Sequence, residues 1–216
     1  MGRRFAEIAF TPLVKEQQKQ HGSRHLYERI EKSNMQKSND LGDRLGPSEQ
    51  EFIQQRDGFY MASVSETGWP YIQFRGGPKG FLRVLDPQTL GFADLRGNTQ
   101  YISVGNLHHD DRVALFLMDY PHQSRLKILG RAKIHEGNAE ALKLIESLRM
   151  PGEKSRAERA LIIHVEAFDW NCPQHITPRF TQEELATALE PMQRRLKDLE
   201  AENKRLRDAA AKQNVL

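Results

Sequence analysis

The chain has 216 residues, 38% hydrophobic and 28% charged, with 32 Lys/Arg against 29 Asp/Glu and a formal net charge of +3. That length accommodates one full core with appendages, and without an apolar run of about 18 residues no membrane span is expected. The single cysteine, Cys172, excludes an internal disulfide. The start MGRRFAEIAF reads neither as a secretory signal, lacking an apolar stretch behind its arginines, nor as a myristoylation site, because Ala6 replaces the required Ser/Thr. A cytoplasmic protein is expected.

Residues 1–46 hold nine Lys/Arg against six Asp/Glu, residues 47–180 sixteen of each, and residues 181–216 seven of each. The whole basic excess therefore lies in the N-terminal segment. No basic stripe with interleaved aromatics is visible, so no nucleic-acid partner is expected.

In chain order, residues 1–46 read as a helical arm and linker. PLVKEQQKQHGSRHLYERIEKS is built of helix formers broken at Gly22-Ser23, and SNMQKSNDLGDRLGPS is polar and rich in turn residues. Residues 47–180 form the body. Ser48 followed by Glu51 reads as a capping box opening a helix through Gln55. Seven strand candidates follow: FYMASVS, YIQFR, FLRVL, TLGFA, RVALFLMDY, RLKILGRAKIH and ALIIHVEAF. Short strands at close spacing, joined by Gly, Pro, Asp and Asn, favour an antiparallel barrel or sandwich over a parallel sheet. Two helical inserts are expected, near 98–104 and over 138–149. The second carries Ala141, Leu142, Ile145 and Leu148 at helical spacing.

Residues 181–216 read as a C-terminal helix, with heptads over 181–210. Leu185, Met192, Leu199 and Leu206 take d positions; Leu189, Leu196, Asn203 and Ala210 take a positions. Arg195 and Glu202 at g would face Glu200 and Arg207 at e of a parallel partner, and Asn203 at a favours an in-register dimer. A single amphipathic helix packed on the body satisfies the same pattern. Pro191 predicts a kink or restart, leaving 191–208 as the secure coiled-coil segment.

YIQFRGGPKG joins a strand to a glycine-rich break. Period-two alternation puts Tyr71, Gln73 and Arg75 on one face and Ile72 and Phe74 on the other. Arg75 at the strand end has a planar donor fork that matches a phosphate, and Gly76-Gly77 would let the chain pass close to a ligand. An exposed strand arginine or an ion pair accounts for it equally. In ADLRGNTQ, Arg96 precedes Gly97-Asn98 and a short helix whose N-terminus could meet an anion.

The segments FYMASVSETGWPYIQFRGG, TLGFADLRGNTQYISVGNL, DDRVALFLMDY, RLKILGRAKI and FDWNCPQHI, in this order, resemble the pyridoxamine 5′-phosphate oxidase-like, FMN-binding split-barrel family. The resemblance covers about half the chain, from Phe59 to Ile134 with the later motif, and implies a mostly β fold with helices. Specifically, it implies a six-stranded antiparallel barrel and a homodimer with FMN at the subunit interface. It places Gln73, Phe74, Arg75, Gly76, Ala93, Asp94, Arg96, Asn98, Thr99 and Gln100 around the cofactor. Family members often carry an Arg-Lys pair near positions 98 and 99. Asn98 and Thr99 leave Arg75 and Arg96 to supply the charge. Arg125 falls near the flavin's pyrimidine edge, where a cation stabilises the reduced ring, although a surface arginine fits equally. Trp170 matches a tryptophan approaching from the other subunit, with core packing as its alternative.

Other chemistries lack their motifs. The eight histidines show no HExxH spacing, Cys172 with His175 does not make a zinc site, and LHHDDR sits where polar turn residues are ordinary, so no metal is expected. FRGGPKG lacks a P-loop ending, VSETG is not GxSxG, and Cys172 has no evident activating base. The expected activity is an FMN-dependent oxidation or reduction of a small organic substrate, with catalytic residues unassigned. The alternatives are a non-catalytic flavin carrier or sensor whose tail docks a partner, and a scaffold without cofactor. NCPQHITPRF offers only His175 and Arg179 to a phosphorylated pyridoxine, which argues against vitamin B6 oxidation.

Overall fold

The computed structural model describes residues 2–37, 42–170 and 174–213. Cys172, considered above as a nucleophile, lies outside the described residues. The chain divides into two compact units, residues 1–119 with 123–176 and residues 120–122 with 177–216.

The first unit opens with three helices, α1 (Arg3–Ala9), α2 (Pro12–Gln20) and α3 (Arg24–Lys37). Thr11 caps α2 by accepting from the Val14 N–H, and Gly22 turns the chain at φ +73°. Arg24 fastens the turn, reaching Glu28 at 3.1 Å, Glu31 at 2.7 Å and the Gln18 side chain at 3.0 Å. The stretch expected as linker from residue 33 is helical to Lys37. Its polar residues are adequate helix formers and contain no proline before 47. The arm belongs to the same unit as the sheet. Phe5 and Ala6 of α1 are buried, and the Lys127 ammonium lies 4.8 Å from the Phe5 ring centre.

Helix α4 (Pro47–Gln54) starts one residue before the expected cap. Its N-cap is Gly46, whose N–H donates to the Glu49 carboxylate at 2.9 Å. Pro47 explains the shift, because proline suits the first helical position, where no N–H is needed.

Seven strands follow: β1 (Gly58–Val64), β2 (Pro70–Gly76), β3 (Arg83–Asp86), β4 (Thr89–Leu95), β5 (Arg112–Asp119), β6 (Ser124–His135) and β7 (Ala157–Trp170). They form one antiparallel sheet in the order β2-β1-β5-β6-β7-β4-β3. Each of the seven sequence candidates is a strand. The sheet therefore has one strand more than the six-stranded barrel expected. The extra edge is β3, four residues long and paired only to β4, and the sheet stays open between β2 and β3.

Alternating inward residues fill the barrel core, among them Phe59, Met61, Phe92, Leu115, Leu117, Leu126, Ile128, Ile163 and Val165. Phe59 stacks on Phe81 at 5.7 Å and meets the edge of Phe92 at 5.5 Å. At the β6 bulge after Leu129 a side chain is impossible at Gly130, since a Cβ there would lie 2.6 Å from the His164 carbonyl oxygen.

Helix α5 (Ile102–His109) links β4 to β5, and α6 (Ala139–Leu148) links β6 to β7. Asn138 caps α6 through the Ala141 N–H at 2.8 Å, and Ile145 and Leu148 bury themselves beside Ala160. Helix α5 begins four residues later than expected. The residues from Gly97 to Tyr101 form a loop with Thr99 and Tyr101 in the left-handed region, at φ 59° and 53°.

In the second unit, α7 (Gln182–Gln213) continues through Pro191 without the restart that was one of the two expectations there. Thr181 begins it, its hydroxyl accepting from the Glu184 N–H at 3.2 Å while its own N–H donates to the Glu184 carboxylate at 2.8 Å. That reciprocal arrangement is a capping box. No helix among the described residues is long and apolar enough to cross a membrane.

Candidate functional site

Strand β2 has the two faces that its alternation predicts. Ile72 and Phe74 point outward and are exposed, while Tyr71, Gln73 and Arg75 point inward and are half-buried. The inward face forms one wall of a recess completed by Asp94 and Leu95 of β4, the loop residues 97–101, the first turn of α5, and Glu158 and Arg159 of β7.

Asp94 is the centre of its electrostatics. The carboxylate is buried and accepts from Arg75 Nη1 at 2.5 Å through one oxygen and from Arg159 Nη1 at 3.0 Å through the other. Register explains the second contact, because Asp94 of β4 sits opposite Arg159 of β7. Arg159 also donates to Glu136 at 2.9 Å and Glu158 at 3.0 Å, and its guanidinium carbon lies 5.2 Å from the centre of the Tyr101 ring. Burial lowers the Arg159 pKa, but its bonds to Glu136 and Asp94 outweigh this and leave it raised, so it is a fixed cation. Arg75 is less satisfied. Its Nε is buried and has no hydrogen-bond partner.

Opposite these arginines stand neutral groups. Ser103 of α5 donates to the Gln73 side chain at 2.9 Å, and Asn106 donates to Ser63 of β1 at 3.0 Å, which together fasten α5 to the sheet. The loop is held by its own polar groups, with the Asn98 side-chain oxygen accepting from the Gln100 N–H at 3.2 Å. No side chain caps α5, so its first-turn N–H groups are available to an acceptor in the recess. Left-handed, non-glycine residues on both sides of Gln100 cost energy and are found where a loop must hold a particular shape.

The expected site residues divide by location. Gln73, Arg75, Asp94, Asn98, Thr99 and Gln100 come together in the recess. Arg96 does not line it; its side chain is 58% exposed and lies 3.7 Å from Glu158. Phe74 faces outward against Tyr60, with ring centres 5.4 Å apart. Ala93 points to the other side of β4, into a small hollow with Gly77, Phe81 and Leu148. Gly76 and Gly77 make room for aromatic rings, since a Cβ would lie 2.8 Å from the Phe74 ring at Gly76 and 2.7 Å from the Phe81 ring at Gly77. Arg125 is the second residue of β6, opposite Met118, with its Nε buried and without a hydrogen-bond partner. Trp170 ends β7, donates to Glu49 of α4 at 2.7 Å and meets the edge of Phe52 at 4.8 Å. Neither Arg125 nor Trp170 lines the recess of its own chain. The recess residues that sequence reasoning missed include Arg159, Glu158, Tyr101 and Ser103. Arg159 lies 65 positions from Asp94, and only the β4–β7 register brings them together.

Among the described residues, no group of three or more His, Cys, Asp or Glu side chains could hold a metal ion.

Residues 45–169, more than half of the chain, match the family model for pyridoxamine 5′-phosphate oxidase. The chain belongs to the pyridoxamine 5′-phosphate oxidase family. No curated protein matches it in sequence. It is similar in structure to Group A Streptococcus HupZ, at 17% identity and a TM-score of 0.48, with 63% of this chain and 99% of that one covered. A second similar structure is a putative pyridoxamine 5′-phosphate oxidase from Lactobacillus delbrueckii, at 20% identity and a TM-score of 0.47, covering 59% and 94%. A third is an FMN-binding protein from Syntrophomonas wolfei, at 10% identity and a TM-score of 0.47, covering 68% and 97%. Within this family, the open seven-stranded sheet is the split barrel of the chain, and the recess lies between its edge strand β2 and the β4–α5 loop.

Proposed function

We propose that this protein is a homodimeric, cytoplasmic FMN-binding flavoprotein, with FMN at the dimer interface, that oxidises or reduces a small organic substrate. The observation that carries the reading is the recess in which Asp94 braces Arg75 and Arg159 side by side. An unpartnered, buried Arg75 Nε on the wall of the recess suits an incoming phosphate, which would supply the missing acceptor. Arg75, Thr99, Gln100 and the first-turn N–H groups of α5 would hold the phosphate end, with Ser103 fastening Gln73 beside it. Arg159 would position Arg75 by holding Asp94 from the other side, and Arg96, Asn98 and Gln73 would border the site. When bound, FMN supplies the hydride or electron chemistry. The protein's part is to bind and orient it.

The homodimer is supported by the outward face of β1 and β2. Ile72 and Phe74 there are 62% and 57% exposed, Trp69 in the preceding turn is 75% exposed, and exposed apolar side chains of this kind suit an interaction surface. Such a dimer would let Trp170 and Arg125 of one copy serve the recess of the other.

The non-catalytic carrier is favoured by a different observation. The charged groups among the described residues of the recess, Arg75, Asp94, Glu158 and Arg159, are each tied in an ion pair.

An absorbance spectrum of the purified protein tests these readings together. Flavin bands that bleach with NAD(P)H and return in air support the oxidoreductase. Bands that yield only to dithionite support the carrier, and a protein that takes up no added FMN contradicts both.

A further inference from the structure

The outer and inner faces of α7 treat their charges differently. On the outer face Arg194 pairs with Glu190, one turn away. Among the described residues, Arg195, Glu200, Glu202 and Arg207 make no ion pair within the chain, although all four flank the apolar seam. The seam itself is uncovered: Leu185, Leu189, Met192, Leu196, Leu199 and Leu206 are between 43% and 68% exposed. Six large apolar residues in one stripe on a solvent-facing helix leave a surface that water disfavours.

From this we infer that α7 pairs with α7 of a second copy of this chain as a parallel, in-register, two-stranded coiled coil running from Leu185 to Leu206. Charge complementarity identifies the occupant. In that register Arg195 of each helix meets Glu200 of the other, Glu202 meets Arg207, and Asn203 meets Asn203. All four unpaired flanking charges thereby gain an opposite partner, and the buried Asn pair penalises any slipped register.

Pro191 does not divide the seam. With Leu189 at a, Pro191 falls at c, and the carbonyl that its missing N–H would have bonded belongs to Thr187 at f. Both positions face away from the partner, so the lost bond lies on the water side and the a and d residues continue through it. The contact surface therefore begins at Leu185, ahead of the proline. This inference does not depend on flavin binding.

Disulfide trapping in the full-length chain, with Cys172 replaced by Ser, tests it. Leu206→Cys places a thiol at d and should yield a covalent dimer under mild oxidation, whereas Ala201→Cys at the outer f position should not. Glu200→Arg sets like charges across the seam and should lower trapping at 206 several-fold, and adding Arg195→Glu should restore it. These charge changes are at exposed positions and leave the body's fold intact, which circular dichroism verifies. Equal trapping at 201 and 206, no trapping at 206, or indifference to charge reversal would each overturn the proposal. Trapping that appears only when another protein is added would assign the seam to that protein instead.

Discussion

Asp94 on β4 and Arg75 on β2 meet at 2.5 Å although their strands are not neighbours in the sheet. The pair spans the inside of the split barrel near its open edge, and Arg159 fixes the carboxylate from the other side at 3.0 Å. A buried carboxylate between two guanidiniums gives each cation a defined position before any ligand arrives. Such preorganisation reduces what binding must spend on ordering.

The brace has a stability consequence. Asp94→Ala should destabilise the protein by about 3–5 kcal/mol, because it strands the Arg75 guanidinium, while Arg159 keeps Glu136 and Glu158. For a chain of this size that corresponds to a melting temperature lower by roughly 6–20 °C. Asp94→Asn keeps the volume and one acceptor and should cost less. Thermal unfolding of the two variants checks the order, and an unchanged melting temperature in both would mean that the brace is idle.

Asn106 tests the other wall. Its amide donates to Ser63 at 3.0 Å where both residues are buried, and this bond ties α5 to β1. Asn106→Ala should cost about 1–3 kcal/mol through the unsatisfied hydroxyl. The loss should be reduced when Ser63→Ala is added, since the second change removes the orphan. Chemical denaturation of the single and double variants measures the coupling, and strict additivity would show that the two residues do not interact.

Acid sensitivity is expected at Asp110. The Arg112 guanidinium and the Arg112 backbone N–H hold its carboxyl well below the usual carboxylate range. A folded-state value below the unfolded one gives stability that is fully present above the ordinary range and is lost as pH falls through the folded value. Asp110→Asn should therefore be less stable than the native protein near neutrality, and the gap should close below about pH 4. Melting curves across that range check the sign, and a gap that widens in acid would contradict it.

Much of the body was legible because its strands announce themselves by alternation. Tyr71, Gln73 and Arg75 share a face by period two alone, and all seven candidate strands formed. The errors fall where local signals compete. Pro47 drew the start of α4 ahead of Ser48, and the polar stretch after Ser33 continued as helix to Lys37 because polarity alone does not break one. The first turn of the expected helix at 98–104 is instead a loop with two left-handed residues, a conformation that neither Thr99 nor Tyr101 advertises. Arg159 was invisible for a different reason. Nothing local marks a strand arginine as part of a recess, and its place follows from which strand β7 pairs with. Arg96 is marked by its position in the sequence, whereas its exposed side chain lies 3.7 Å from Glu158.

In the proposed flavin phosphate site, Arg75 meets the phosphate and Arg159 holds Arg75 in place through Asp94. Titration of the apoprotein with FMN and with riboflavin, which lacks the phosphate, tests it most directly. Losing a charge-assisted contact of about 1.5–3 kcal/mol corresponds to roughly 10- to 150-fold in affinity. Arg75→Ala should therefore weaken FMN by that factor while leaving riboflavin nearly unchanged, and Arg159→Ala should shift the same preference in the same direction. Arg75→Lys should recover part of the loss, because an ammonium keeps the charge without the fork. Equal losses for FMN and riboflavin in both alanine variants would contradict the claim, reducing the Arg75–Asp94–Arg159 chain to a brace between strands.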